Sequence, residues 1–189
     1  MSGERKIEWE GKYIRIVRDG RWEYVERCGG VHAVVIHAEY EAKVVLVEQH
    51  RIPLGRRCLE LPAGLVGDED PNATVEDTAV KELEEETGFT ADSIELIGEY
   101  FSSPGMVSEG FTLVRAHGLR QVGDGGGTEH EDIEVHLVPR GDIPDFVERK
   151  RSEGCAIDVK LLLLLGAHDG RRPRLEAGSK YSFGASERH

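Results

Sequence analysis

The segment VKELEEETGF, residues 80–89, decides the fold of this chain. Directly before Gly88 it contains four glutamates: Glu82, Glu84, Glu85 and Glu86. In a helix that ends at this glycine, such carboxylates lie at the negative end of the helix dipole and repel one another at a spacing of four residues. A solvated acidic face is the simpler interpretation. A bound divalent cation would reverse both penalties, since Mg²⁺ and Mn²⁺ prefer carboxylate oxygens.

The flanking residues predict that this segment ends a helix over residues 72–87. Apolar residues recur at helical spacing and form a stripe that faces the core: Val75, Ala79 and Leu83. Glu82 and Glu86 are one turn apart at the edge of this stripe, and Glu85 lies beside them. The glutamates therefore border the core.

Length and composition indicate one good-sized globular domain with a small appendage. The chain has 189 residues, of which 39% are hydrophobic and 32% charged, enough for a sizeable core. Its net charge of −12 argues against nucleic acid or a membrane surface as the main partner, because both are polyanionic. A small phosphorylated ligand remains compatible with this charge, since it needs only a local basic spot.

The compartment is predicted from the first residues, the apolar runs and the cysteines. The start MSGERKIEWE is charged where a signal peptide needs an apolar core, and the run LLLLLGA (161–167) is too short to span a bilayer. The three cysteines lack metal-ligand spacing: Cys28, Cys58 and Cys155. Because an odd, unclustered set indicates reduced thiols, we expect a cytoplasmic protein with no membrane partner.

Strands are predicted on both sides of the acidic helix. IEWEGKYIRIVRDG and RWEYVERC alternate apolar and polar residues about the turn Asp19-Gly20 and predict a hairpin. The Val-rich runs VHAVVIHA and KVVLVEQH predict the centre of a sheet, and SIELIGEYF, GFTLVRAHG and IEVHLVPR predict further strands. GDGGGTEHED predicts a mobile loop. With short helices expected near residues 143–152 and 157–167, the mixture indicates an α/β or α+β sandwich.

KELEEETGF resembles the second half of the Nudix box, whose pattern is G-x5-E-x7-R-E-U-x-E-E-x-G-U, with U a bulky apolar residue. The matching positions are Glu82, Leu83, Glu85, Glu86, Gly88 and Phe89. The preceding ELPAGLVGDED resembles the opening of the box in the ADP-ribose pyrophosphatase branch of Nudix hydrolases. There Gly64 is the first glycine, and Asp70 replaces the usual glutamate.

Two departures from the pattern affect this box. Ten residues separate Asp70 from Lys81 where the pattern has seven, so the loop carries a three-residue insertion. Lys81 replaces an arginine that holds the box carboxylates, and lysine keeps the charge but loses the bidentate fork. Both changes leave the carboxylates in place, so we expect slower or slightly altered chemistry at worst.

The resemblance covers most of the chain, from about residue 11 to residue 165. VEQHRIPLG and LELPAG resemble the strand and loop before the box, and SSPGMVSE supplies the proline that this branch carries beyond it, Pro104. TEHEDIEVHLVP resembles the loop and strand that carry the catalytic base. The resemblance implies a Nudix-type α/β/α sandwich with a mixed sheet and a small N-terminal β hairpin region.

The same resemblance implies a division of the chain and a homodimer. We expect an N-terminal β region at 1–28 that serves dimerisation and the substrate pocket, a Nudix hydrolase domain at 29–168 and a basic tail at 169–189. In the resembling enzymes the N-terminal hairpin packs on a second subunit, and each active site borrows residues across the interface. An isolated two-stranded hairpin is marginal alone, which fits that arrangement.

The resemblance also assigns metal ligands. Glu82 and Glu86 bind metal directly, Glu85 binds through water or in a second position, and the backbone carbonyl of Ala63 is a further ligand. Two or three Mg²⁺ or Mn²⁺ ions would bridge the diphosphate and polarise the attacking water. Glu84 is expected to be only a solvated charge.

A catalytic base must take a proton from that water. Glu131, directly before Asp132-Ile133, is the expected base, and Glu129 is the alternative. Asp132 substitutes if the register is off by one, and an acidic loop without a role is the simplest interpretation of either glutamate alone. Glu85 is counted with Glu131 among the catalytic residues.

Five residues are expected to bind substrate: Tyr13, Trp22, Arg27, Arg51 and Glu60. The two arginines match positions that touch the phosphates or ribose, and the glutamate matches one that holds a ribose hydroxyl or the metal shell. The two aromatics fall near those that sandwich the adenine, although core filling is the commoner fate of a lone aromatic in a strand.

We therefore expect metal-dependent hydrolysis of ADP-ribose, a small-molecule nucleoside diphosphate sugar, to AMP and ribose 5-phosphate. Other nucleoside diphosphate sugars, such as ADP-glucose or GDP-mannose, are the alternative substrates. A non-catalytic domain that binds ADP-ribose is the alternative from another class. The presence of Glu82, Glu85 and Glu86 favours the enzyme, because a binding domain would typically have lost such glutamates.

Overall fold

A computed structural model describes residues 4–68, 70–128 and 131–166 of the protein. The strands are β1 (Arg5–Glu10), β2 (Ile14–Asp19), β3 (Trp22–Arg27), β4 (His32–Tyr40), β5 (Lys43–Arg51), β6 (Arg56–Glu60), β7 (Ala63–Val66), β8 (Phe89–Thr90), β9 (Ser93–Phe101), β10 (Gly110–His117), β11 (Arg120–Gln121), β12 (Glu134–Pro139) and β13 (Ala156–Ile157). The helices are α1 (Val75–Thr87), α2 (Ile143–Ser152) and α3 (Leu162–Gly166), with 3-10 turns at Ile52–Leu54, Arg140–Asp142 and Val159–Leu161.

The N-terminal strands form a three-stranded antiparallel sheet in the order β1-β2-β3. The predicted hairpin is present as β2 and β3, which turn at Gly20 with a positive φ of 59°. The segment before this turn breaks near Gly11 into two strands, so the sheet has one strand more than the sequence predicted. Hydrogen bonds join Val25 of β3 to Met106 and Ser108 and hold this sheet against the loop after β9.

The two Val-rich strands β4 and β5 form the centre of a large mixed sheet, as the sequence predicted. They pair with each other only next to their turn, at Glu39–Val44 and Tyr40–Lys43. Beyond that point β4 pairs with β7 and runs parallel to β10, whereas β5 lies between β6 and β12. The sheet therefore splits into two arms, and a cleft opens where the arms separate.

Helices cover both sides of this split sheet. Helix α1 packs Ala79 and Leu83 against a buried cluster of β4, β5, β8 and β10 side chains. Helix α2 packs Ile143 and Val147 against a second buried cluster that includes Leu46. The arrangement confirms the predicted α/β/α sandwich with a mixed sheet.

Helix α1 begins later than its pattern predicted. Thr74 is its N-cap, and the Thr74 hydroxyl accepts a hydrogen bond from the Asp77 amide at 3.1 Å. Asn72 lies outside the helix, where its amide donates to the Asp70 carboxylate at 2.9 Å. The helix ends where predicted, at Gly88, whose φ of 73° suits glycine.

Two parts of the predicted organisation stay predictions. The basic tail at 169–189 lies outside the described residues, and the division at residues 28 and 168 stays a prediction. Within residues 4–166, apart from the gaps at 69 and 129–130, no helix is long and apolar enough to cross a membrane.

Candidate active site

A cleft of about 860 Å³ occupies the opening between the two arms of the sheet. Its walls come from β4, β5, β6, β7 and the face of α1, and its rim includes the loop before β12. Eight of the residues predicted to bind metal or substrate or to act in catalysis line it: Arg27, Arg51, Glu60, Ala63, Glu82, Glu85, Glu86 and Glu131. The cleft thus brings together Arg27 of β3 and Glu131, which precedes β12, although they are 104 positions apart in the chain.

Gly64 sets the distance between β7 and α1. A Cβ placed on Gly64 would overlap the Glu82 side chain, so glycine is required for this close approach. Gly64 pairs with Val34 of β4, which fixes β7 to the central strand. Glu82 is therefore held against the backbone of the strand that carries Ala63.

Glu86 is the most buried of the helix glutamates, with 5% of its surface exposed. Its Oε2 accepts a hydrogen bond from the Ala63 amide at 3.1 Å. Burial raises the pKa of Glu86 to about 8, and the neighbouring Glu82 and Glu131 carboxylates add to this rise, against the lowering by the Ala63 amide. The centre of the acidic cluster is therefore short of positive charge.

The two remaining glutamates of the acidic cluster, Glu84 and Glu85, are exposed. Glu85 lines the cleft and lies 3.8 Å from the ammonium of Lys81, one turn earlier. Glu84 is exposed, as the sequence predicted for a solvated charge. Its amino-acid type and its helix are the same as those of Glu86, which makes it a natural control residue.

The basic residues of the cleft are paired with carboxylates. Arg51 Nε and Nη2 donate to the two carboxylate oxygens of Glu60 at 2.6 and 2.8 Å, a bidentate contact. The hydrogen bond to Glu60 raises the pKa of Arg51. Arg27 pairs with Glu109, which also lines the cleft. Both guanidinium groups are positioned before any ligand arrives.

The glycine-rich segment after β11 is tied to the end of α1. The amides of Gly126 and Gly127 donate to the carbonyls of Glu86 and Glu85 at 2.9 and 3.0 Å. Gly88 approaches this segment so closely that a Cβ would overlap its backbone. The sequence predicted a mobile loop here, and its mobility stays a prediction. The sequence did not show that these glycines serve backbone contact.

Glu131 follows this segment and faces the cleft. Its Oε2 accepts hydrogen bonds from the amide and hydroxyl of Thr128 at 3.0 and 3.1 Å. The alternative base, Glu129, lies outside the described residues. The structure thus brings Glu131 to the side of the cleft that holds Glu86, as the electrostatic effect of one carboxylate on the other indicates.

The two aromatics predicted at the adenine lie away from the cleft as the described residues form it. Tyr13 is 62% exposed and Trp22 is 57% exposed, both on the N-terminal sheet. Neither fills the core of this chain, so the core interpretation of these aromatics does not hold within it. Their contact with a base stays a prediction.

Sequence reasoning missed several residues of the cleft. Lys160 lines it together with Asp158, whose carboxylate accepts from the Lys160 amide at 2.7 Å and caps the turn before α3. An Asp whose side chain can accept a hydrogen bond from the amide two residues later is a capping signal, and the sequence AIDVK contains it. Cys58 also lines the cleft, but burial raises the pKa of its thiol to about 12 and makes it a poor nucleophile.

A second acidic group lies outside the lining of the cleft. Glu48, Glu134 and His136 offer ligand atoms within 4.8 Å of one another. Glu48 already contacts the ammonium of Lys150 at 2.7 Å and Nε of Arg57 at 2.8 Å. Burial would raise the pKa of Glu48, but hydrogen bonds from Lys150, His136 and Arg57 lower it to about 2. The protein thus neutralises this carboxylate itself, which is the signature of an ion-pair network.

The chemistry of the first acidic group fits a divalent cation. Glu82, Glu85 and Glu86 are hard oxygen donors on one rigid helix beside a cleft. Burial and mutual repulsion disfavour the charged form of Glu86, and a cation at this place would remove both penalties. The residues present at the end of α1 are therefore suited to hold such an ion.

The sequence matches the NUDIX domain over residues 27–154. It is 33% identical over 159 residues to the GDP-mannose pyrophosphatase of Cronobacter sakazakii, covering 79% of this chain and 78% of that protein. It is 42% identical over 88 residues to the ADP-ribose pyrophosphatase of Bacillus subtilis, covering 46% of this chain and 44% of that protein.

A similar arrangement occurs among solved structures. The fold matches the crystal structure of an ADP compounds hydrolase with a TM-score of 0.65 over 78% of this chain and 82% of that one. The two sequences are 20% identical, so this likeness concerns the fold alone.

Proposed function

The chain belongs to the Nudix family of hydrolases, and we propose that it hydrolyses ADP-ribose to AMP and ribose 5-phosphate. The observation that carries this proposal is the convergence of the α1 glutamates, Glu131 and two arginines on one cleft. Its volume of about 860 Å³ falls in the range of small-molecule sites. Nudix hydrolases generally use divalent metal ions, and here the proposed ions are two or three Mg²⁺ or Mn²⁺.

The proposed ligands of these ions are the carboxylates of Glu82, Glu85 and Glu86 and the carbonyl of Ala63. When bound, such ions neutralise charge on the diphosphate and lower the pKa of the attacking water. The Glu86 carboxylate is buried and held by the Ala63 amide, so its side chain needs little reorganisation to bind an ion. Gly64 allows Glu82 to lie against β7 at the same place.

Glu131 is the proposed general base. Thr128 donates two hydrogen bonds to Glu131 Oε2, which leaves Oε1 to accept the proton of the attacking water. Water adds its oxygen to one phosphorus, and the bridging oxygen leaves with the other phosphate.

Arg51 and Arg27 are the proposed contacts for the phosphates or ribose. Arg51 is held flat by Glu60, which leaves its remaining N–H groups to face the cleft. Glu60 is buried and so contributes orientation more than exposed charge. A ribose hydroxyl is the group that would complete this pair.

A second substrate is favoured by one observation. The match to GDP-mannose pyrophosphatase covers more of the chain than the match to ADP-ribose pyrophosphatase. GDP-mannose is therefore the alternative substrate, and ADP-glucose is tested with it. A non-catalytic binding domain is not favoured, since the glutamates of the family pattern are present in this chain.

We further propose a homodimer in the cytoplasm. Large apolar side chains are exposed on the N-terminal sheet and on β9, among them Trp9, Trp22, Leu96 and Phe101. A second copy of the chain would cover them and bring Tyr13 or Trp22 to a neighbouring cleft. The proposed compartment rests on a separate observation, since the three free cysteines support a reducing environment. Light scattering of wild type and Trp22→Ala tests the dimer, which fails if both are monomers at all concentrations.

The substrate is tested by initial rates on ADP-ribose, GDP-mannose and ADP-glucose with Mg²⁺, Mn²⁺ or a chelator. We expect the highest kcat/KM on ADP-ribose, with AMP and ribose 5-phosphate as the products and no turnover in chelator. A higher value on GDP-mannose would replace the proposed substrate but keep the reaction. No turnover of any of the three would refute the proposed function.

A further inference from the structure

Arg57 connects the interior of the protein to the segment that carries Glu131. Its Nε and Nη2 donate to the carboxylate and backbone carbonyl of Glu48 at 2.8 and 2.7 Å. Its Nη1 donates to Asp132 Oδ2 at 2.9 Å. Asp132 is the residue directly after Glu131. One guanidinium thus links strands β5 and β6 to the rim of the cleft.

The inner end of this link is fixed. Glu48 is 5% exposed and also contacts Lys150 of α2 at 2.7 Å and His136 of β12 at 3.0 Å. Two hydrogen bonds to Glu48 hold the planar guanidinium of Arg57 in one orientation. The direction of Nη1, which donates to Asp132, is therefore fixed as well.

Among the described residues, Thr128 donates two hydrogen bonds to the Glu131 carboxylate within the segment, and further contacts hold its two ends. Gly126 and Gly127 are tied to the carbonyls at the end of α1, and buried Ile133 donates its amide to the Gly126 carbonyl at 3.3 Å. Between these ends, the Arg57–Asp132 contact adjoins Glu131 itself. The Asp132 side chain is 91% exposed, and an ion pair so exposed contributes little to stability. Its consequence is geometric.

We propose that Arg57, acting through Asp132, is a positioning residue that holds Glu131 at the reacting water. The inference rests on the proposed function of Glu131 as the base. A carboxylate displaced by about 1 Å loses much of its effect on the reaction, up to about 100-fold. Arg57 lies on the opposite face of β6 from Cys58 and Glu60, which line the cleft, so it touches no substrate.

The main test is Asp132→Ala, measured as kcat and KM on the best substrate. We expect kcat to fall about tenfold with KM within about twofold, because the base moves while the binding residues stay. Asp124→Ala is the matched control, since Asp124 is an exposed aspartate in the same glycine-rich segment. Its kcat stays at the wild-type value. Equal kcat for Asp132→Ala and wild type would overturn the proposal.

Asp132→Asn separates positioning from catalysis. An amide oxygen still accepts a hydrogen bond from Arg57 but cannot serve as a base, so this variant recovers most of the lost kcat. Glu131→Gln, by contrast, has a low kcat, because this change removes the carboxylate that acts as the base. If Asp132→Asn is as slow as Asp132→Ala, Asp132 is itself the proton acceptor and the positioning role is refuted.

A double-mutant cycle tests whether Arg57 acts through Asp132. Arg57→Gln lowers kcat at least as far as Asp132→Ala, and the double variant is no slower than Arg57→Gln alone. Independent effects, which multiply in the double variant, would contradict the link. Thermal unfolding shows which variants remain folded at the assay temperature.

Amide hydrogen exchange gives a readout that does not depend on activity. Exchange across residues 126–133 rises in Asp132→Ala and Arg57→Gln and stays at the wild-type rate in Asp124→Ala. Unchanged exchange in Asp132→Ala would refute the link even if no substrate is found. If exchange responds but Glu131→Gln keeps wild-type kcat, the link exists and the assignment of the base fails instead.

Discussion

Two glutamates of this protein are equally buried and electrostatically opposite. Glu48 and Glu86 are each 5% exposed. The pKa of Glu48 falls to about 2, because hydrogen bonds from Lys150, His136 and Arg57 outweigh its burial. The pKa of Glu86 rises to about 8, because its burial is reinforced by other carboxylates.

The difference lies in the neighbours of each buried carboxylate and not in the exposed fraction of its surface. At Glu48 the chain supplies the compensating cations from α2 and β6, and the carboxylate joins these elements. At Glu86 the Ala63 amide and the charge of Arg51 lower the pKa, but burial and the Glu82 and Glu131 carboxylates outweigh them, so a bound cation would supply the missing compensation. A region that is incomplete in this way is where a ligand is expected.

The largest expected effect is on stability, from Glu48→Gln. The change leaves Lys150 and Arg57 partly buried without their carboxylate, so the free energy of unfolding falls by about 3 kcal/mol. Urea denaturation measures it. Glu134→Gln is the control, because Glu134 belongs to the same group but is exposed. An equal loss in both variants would show that the network does not depend on Glu48.

The lowered pKa of Glu48 predicts that its contribution to the free energy of unfolding depends on pH. The folded-state pKa of Glu48, about 2, lies below its ordinary value of 4.5, so its contribution is complete above pH 4.5 and is lost as the pH falls through 2. The difference in unfolding free energy between wild type and Glu48→Gln therefore shrinks between pH 4.5 and pH 2, by an amount on the order of 3 kcal/mol. A difference that is constant with pH would mean that the pKa of Glu48 is not lowered.

Gly64→Ala perturbs the acidic cluster around Glu86 without changing any charge. The added Cβ overlaps Glu82 and pushes it from β7, so we expect kcat to fall on the order of 10- to 100-fold. Gly141→Ala is the control, since a Cβ there has open space. Wild-type kcat in Gly64→Ala would show that the position of Glu82 against β7 is irrelevant to the reaction.

The smallest expected effect comes from Lys81→Arg. A guanidinium offers a bidentate contact to Glu85, which the Lys81 ammonium meets at 3.8 Å. We expect kcat to change by no more than about fivefold and the melting temperature to stay nearly constant, because exposed pairs contribute little. A loss of activity above this level would mean that lysine is specifically required here.

Local features of this fold were predictable because they depend on near neighbours in the chain. The spacing of Val75, Ala79 and Leu83 predicted α1, and Gly88 predicted its end. Its start was misplaced by three residues because Pro71 and Asn72 resemble a helix start, whereas Thr74 makes the capping bond. The acidic cluster belongs to the same local pattern, so its candidate role was visible as well.

Contacts that arise from strand pairing were not predictable. Arg57 reaches Asp132 because β6 and β12 flank β5, and their residues are far apart in sequence. From the sequence alone, Arg57 was indistinguishable from a surface charge. The same holds for Lys160, which the pairing of β13 with β6 brings to the cleft. A single sequence carries no periodicity that reports such pairs.

We propose that Glu86 is a functional carboxylate whose surroundings are completed by a bound divalent cation. The most direct test is turnover as a function of Mg²⁺ concentration for wild type, Glu86→Gln and Glu84→Gln, two variants with the same chemical change on the same helix. We predict that Glu86→Gln loses kcat on the order of 100-fold or more, while exposed Glu84→Gln keeps it within about twofold. Full, metal-dependent turnover by a folded Glu86→Gln would contradict this role of Glu86.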